Sequence, residues 1–231
     1  MSLHHSALLS FLVLSACTTA DKDGDTGASS APTIMGTFTI LDAQYGSGMS
    51  GVAVASSLGE TTMTDTDGSA TMAVVQDGQF SVQLSKEGAL DHLLFGPTGQ
   101  EDFEFVTFMA TEFLVDTVTS QLNTSPADGT GLLVVGIDYD NLSPAVGATA
   151  SVNAAHDSPW VIGGMGRASF SNTIPNGGMG MVAFPGLLPG SVSVDVIPPQ
   201  NTECTAFPSG GAMPNAPVVA NTVTVITYHC R

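Results

Sequence analysis

Ser69-Ala-Thr-Met-Ala-Val-Val75 runs into Gln76-Asp-Gly78 and then Gln79-Phe-Ser-Val-Gln-Leu84. Gln76-Asp-Gly78 is a tight-turn signal between two β-favouring runs. In the second run Phe80, Val82 and Leu84 fall on one side, because successive strand side chains point to opposite faces. The same pattern extends outward. Ile34-Met-Gly-Thr-Phe-Thr-Ile-Leu41 alternates, and Gly51-Val-Ala-Val-Ala55 alternates Val with Ala. Leu90-Asp-His-Leu-Leu-Phe95 and Phe103-Glu-Phe-Val-Thr-Phe-Met109 flank Gly96-Pro-Thr-Gly99. Strands at intervals of about ten residues, broken by Gly and Asp, predict an antiparallel sandwich.

One helix is expected, from Thr111 to Asn123. Thr111 can cap it and Glu112 suits the positive end of the helix dipole. Phe113, Leu114, Val118 and Leu122 form a loose apolar stripe, and Asn123-Thr-Ser-Pro-Ala-Asp-Gly129 breaks the helix. Strands then resume: Gly131–Tyr139, Ala145–Val152, Met179–Phe184, Ser191–Ile197 and the last strands within Pro217–Tyr228. The two halves share a plan. Gly36–Asp42 corresponds to Leu132–Asp138, residues 48–56 to 144–152, 64–72 to 174–184, and 78–84 to 188–196. The expectation is an all-β chain of two tandem antiparallel β-sandwiches, transthyretin-like or immunoglobulin-like, at 33–110 and 131–231. A helical connector at 111–130 would join them.

The second half contains "GATASV", "GGMGMVAF" and "LPGSVSVDV". These segments resemble those of the carboxypeptidase regulatory-like domain, a transthyretin-like sandwich of secreted and outer-membrane proteins. The resemblance implies a scaffold fold used for many roles. Gly68 and Gly180 are expected at turn conformations closed to other residues. Asp65 and Asp67 suit backbone-bonding turn positions. They are also a weak calcium candidate, since two carboxylates alone rarely hold that ion.

The N-terminus carries a second resemblance. The apolar run Ala7–Ala16 is about half the length that a membrane helix needs. It ends in Leu14-Ser15-Ala16-Cys17, which resembles the lipobox of bacterial lipoproteins. The resemblance implies a signal peptide at 1–16 and a lipid on Cys17. The segment before the apolar run has no Lys or Arg, only His4 and His5. Residues 17–32 are polar and rich in Gly, Ser and Asp, and read as a flexible acidic tether. Asp21-Lys-Asp-Gly-Asp25 does not make an EF-hand, because Thr26 and Pro32 stand where Gly and Glu are needed.

The formal net charge is −17, with only four basic residues. That argues against nucleic acid as a partner, which needs a basic surface. It also leaves membrane attachment to the lipid itself. Residues 33–122 hold twelve acids against one lysine, so the first half is the more acidic. There are three cysteines. With Cys17 lipidated and the chain exported, Cys204 and Cys230 are expected to form a disulfide.

No catalytic motif emerges, and no cofactor is expected. There is no G-x-S-x-G, no H-E-x-x-H and no phosphate-binding lysine loop. Gly46-Ser-Gly48-Met-Ser-Gly51 spells a dinucleotide fingerprint, but a strand follows rather than a helix. The chemically varied cluster is His156, Asp157, Trp160 and Arg167, on an insertion at 153–172. Such a loop suits contact with a sugar or a protein. The expected function is a non-catalytic, lipid-anchored cell-envelope protein at the outer membrane, acting as a display, spacer or binding module. The alternatives are a carbohydrate- or protein-binding module using that loop and, more distantly, a transthyretin-like hydrolase using His156 and Arg167. The expected partners are the membrane, through Cys17, and an envelope protein or glycan.

Overall fold

The computed structural model describes residues 31–124 and 127–231. The segments expected as signal peptide and tether, with Cys17, lie outside the described residues as far as residue 30. Residues 31–231 form one compact unit.

The first half holds β1 (Thr33–Asp42), β2 (Ala53–Ser56), β3 (Thr61–Met63), β4 (Ser69–Val75), β5 (Gln79–Ser85), β6 (Asp91–Pro97) and β7 (Phe103–Met109). The hairpin around Gln76-Asp-Gly78 is where the sequence places it, with Asp77 at φ 49°. Sheet β4-β1-β7 and the strands β3-β2-β5-β6 enclose a core that includes Phe38, Ile40, Phe80, Leu84 and Phe105. Phe38, Phe80 and Phe105 meet at ring-centroid distances of 5.5–6.1 Å, within the range of favourable aromatic pairs. Phe80, Val82 and Leu84 all face this core.

Helix α1 (Glu112–Leu122) follows. Thr111 caps it by accepting a hydrogen bond from the Leu114 N–H, and Asn123 ends it in the left-handed region. Its inward side is set by Leu114, Val115 and Val118, whereas Phe113 is exposed.

The second half holds β8 (Gly131–Tyr139), β9 (Thr149–Val152), β10 (Trp160–Ile162), β11 (Ala168–Phe170), β12 (Met181–Leu187) and β13 (Gly190–Val192). The chain then forms β14 (Val194–Ile197), β15 (Cys204–Ala206), β16 (Ala216–Val218) and β17 (Thr222–Cys230). Its core includes Leu133, Val135, Ile137, Val182, Phe184, Ile226 and Tyr228. Two small ladders, β9-β14 and β13-β16, pair antiparallel beside it.

Three features differ from expectation. First, the sheets are not wholly antiparallel: β1 pairs parallel with β7, and β17 pairs parallel with both β6 and β8. The long connections between these strands permit parallel pairing. Second, β17 lies between β6 of the first half and β8 of the second, so one ten-stranded sheet runs through both halves. Val223 and Val225 face the first core, and Ile226 and Tyr228 the second. Third, the 153–172 segment is not a plain loop. It supplies β10 and β11, which extend the sheet beyond β12.

Gly68 meets its expectation, with φ +82°. A Cβ there would lie 2.5 Å from the Ile40 carbonyl oxygen and 2.7 Å from the Met49 nitrogen. The turn is held by Asp65, whose Oδ1 accepts from the N–H groups of Asp67 and Ser69. Gly68→Ala is therefore expected to cost about 2 kcal/mol or more. A urea midpoint unchanged from the parent would count against this docking.

Gly180 has a different reason for being glycine. It is not among the positive-φ residues; instead, a Cβ there would collide with the Asp138 carboxylate.

Candidate functional site

The two central strands have apolar residues on both faces. On β8, Leu133, Val135 and Ile137 are fully buried in the second core. The alternate residues Leu132, Val134, Gly136 and Asp138 point to the other face. In register beside them on β17 stand Val223, Val225, Thr227 and His229. Register partners share a face, so these residues form paired rows. The Val134 row continues through Ala183 of β12 to Trp160 of β10.

Leu132, Val134, Gly136 and Asp138 of β8, with Val223, Val225 and Thr227 of β17, floor a groove of about 510 Å³. Leu114, Val115 and Val118 of α1 line it from the connector, and Leu90, Val106 and Phe108 from the first half. A volume of this size falls in the range of small-molecule sites. From Leu132 to Asp138 the floor runs about 20 Å, at the usual rise of a strand.

Two titratable groups on this groove are displaced from their ordinary behaviour. Burial pushes the Asp138 carboxyl up to about 7. Among the described residues, no group donates a hydrogen bond to its side chain and no Lys or Arg pairs with it. His92, on β6, is lowered to about 4, chiefly by burial, against an opposing hydrogen bond to Leu90. Its Nδ1 lies 2.9 Å from the Leu90 carbonyl, to which it donates, and its Nε2 accepts from the Ala110 N–H. Both ring nitrogens are thus engaged, and the neutral imidazole ties β6 to the start of the connector. Asp138 is different: it is an acceptor with access to an apolar groove.

The structure separates the four residues of the expected binding cluster. Trp160 is half-buried and lines the groove. His156 packs edge-on against Phe184, a side chain of the second core, at 5.2 Å. Asp157 sits against Gly186, where a Cβ would meet its carboxylate. Arg167 is exposed beyond Ile162, at the turn of the β10–β11 hairpin, away from His156 at the opposite end of β10. Asp65 is occupied by its turn, and among the described residues no group of three or more His, Cys, Asp or Glu is placed to hold a metal. Cys204 and Cys230 are disulfide-bonded, at paired positions of β15 and β17.

Asp138 did not stand out in the sequence as a site. Its signal is one of register: it falls on the face set by Leu132 and Val134, where an acid is out of place. The apolar run Leu132-Leu-Val-Val135 likewise indicates a strand covered on both faces.

No protein-family model and no curated protein matches the chain. Several solved structures align with it. A minor pilin of Streptococcus agalactiae aligns over 84% of this chain and 93% of its own, at 14% identity and a TM-score of 0.29. A streptococcal ancillary pilin aligns over 86% of this chain and 62% of its own, at 13% identity and 0.28. The TIE protein of Bacillus anthracis aligns over 86% of this chain at 9% identity and 0.27, and this chain spans only 34% of its length. Likeness at this level assigns neither a family nor a function. Among the described residues, no helix is long and apolar enough to cross a membrane.

Proposed function

We propose that the chain is a non-catalytic, lipid-anchored module of the cell envelope. Lipid on Cys17 would hold it to the outer membrane, and residues 17–32 would space the β-structure from the bilayer. The Cys204–Cys230 bond is the observation that carries this reading. Disulfides persist in oxidising compartments such as the periplasm and the cell surface. The bond also accounts for two of the three cysteines, leaving Cys17, behind its Leu14-Ser-Ala16, as the third. The resemblance to carboxypeptidase regulatory-like domains fits the same setting. Display or spacing asks only for a durable fold, and the scaffold supplies one.

The test is metabolic labelling of cells expressing the full chain with a clickable fatty-acid analogue. The parent should be labelled and fractionate with membranes. Cys17→Ser should be unlabelled. An unlabelled, freely soluble parent would overturn the anchor.

A further inference from the structure

We propose that the groove between α1 and the β8–β17 floor binds a small molecule with an apolar body and a basic head, seated with the head at Asp138. The groove is a partly open trough with a mainly apolar floor and flanks, and Asp138 stands at one end of its β8 row. Its carboxyl is reachable from that space and has no cationic or hydrogen-bonding partner among the described residues. An ammonium head supplies both missing elements, a charge of opposite sign and N–H donors. An anionic head is disfavoured, because the acids Asp138 and Asp128 line the groove and, among the described residues, no Lys or Arg does. His92, which also lines the groove, has both ring nitrogens committed to backbone groups. Gly136 opens the floor beside Asp138, and Trp160 offers an aromatic face along the row. The net charge of −17 adds a long-range attraction for cations.

The test uses the full chain and three probes of equal length: dodecylamine, dodecanol and dodecanoate, each below its aggregation threshold. Binding is read by titration calorimetry and by Trp160 fluorescence. The expected result is one saturable site, with the amine bound on the order of ten-fold tighter than the alcohol and the carboxylate weakest. Asp138→Asn should keep dodecanol binding and lose the preference for the amine. Leu114→Trp, checked for fold by circular dichroism, should fill the groove and lose all three. Equal amine affinity for the parent and Asp138→Asn would mean that general surface charge attracts the amine, and would overturn the proposal. So would the absence of saturable binding by either the amine or the alcohol.

Discussion

Asp138→Asn is expected to stabilise the protein at pH 8 relative to the parent, by about 4 kcal/mol more than it does at pH 4. Burial raises the Asp138 carboxyl from 3.8 to about 7. Below pH 3.8 the folded and unfolded chains both hold this proton. Between there and about 7 the unfolded chain releases it while the folded chain keeps it. The stability that Asp138 contributes is therefore fully present below its unfolded value and is lost as pH rises through the folded one. Asparagine has nothing to ionise and escapes that loss. His92 works in the opposite sense. Its folded value of about 4 lies below the ordinary 6.5. Its contribution is present above pH 6.5 and is lost as pH falls towards 4, by about 3 kcal/mol. His229 is shifted downward as well, first by burial, and adds to the same slope. In the parent, the falling Asp138 slope opposes the rising histidine slope between pH 4 and 6.5. The variant should climb with pH across that window. The charged neighbours of this region, Glu104, Asp128, and Asp140 with Arg231 beyond His229, are present in both proteins and drop out of the comparison. Urea unfolding at pH 4.5, 6 and 8 reads the effect. Parallel curves for parent and variant would sink it.

The strands were legible where an apolar, β-favouring run stands between clear turns. Ser69–Val75, Phe103–Met109 and Gly131–Tyr139 run between the limits read from sequence. The capped helix was legible for the same local reasons, with Thr111 and Asn123 at its ends. What sequence did not reveal depends on partners far along the chain. The pairing of β17 with both β6 and β8 joins residues that share no local pattern. The three-residue strands β10, β11 and β15 are too short for alternation to show. Trp160 looked like part of a decorated loop because its place in the floor comes from pairing with Ala183. Gly180 looked like a turn residue because sequence cannot show a carboxylate from another strand pressing on it. The groove is a product of two chain halves and a connector, so no single segment contains it.

Opening the Cys204–Cys230 bond, by reduction or by the double change Cys204→Ala and Cys230→Ala, is expected to lower stability by about 3.5 kcal/mol. That figure is the chain-entropy value for a loop of this length, with the paired cysteines 26 residues apart. The loop carries β16 and most of β17, so it restrains the strand on which both cores depend. Val223 and Val225 of that strand pack in the first core, while Ile226, Tyr228 and Cys230 pack in the second. A loosened β17 cannot leave one half intact, because the same ten-stranded sheet runs through both. The loss should therefore appear as one cooperative transition at lower urea, rather than as early melting of the second half. The single tryptophan, Trp160, reports on the second half, whereas far-ultraviolet circular dichroism reports on the whole chain. The two signals should coincide in both the oxidised and the bridge-free protein. Separate midpoints, with Trp160 changing first, would mean that the halves are held together by the bond and not by the shared strand.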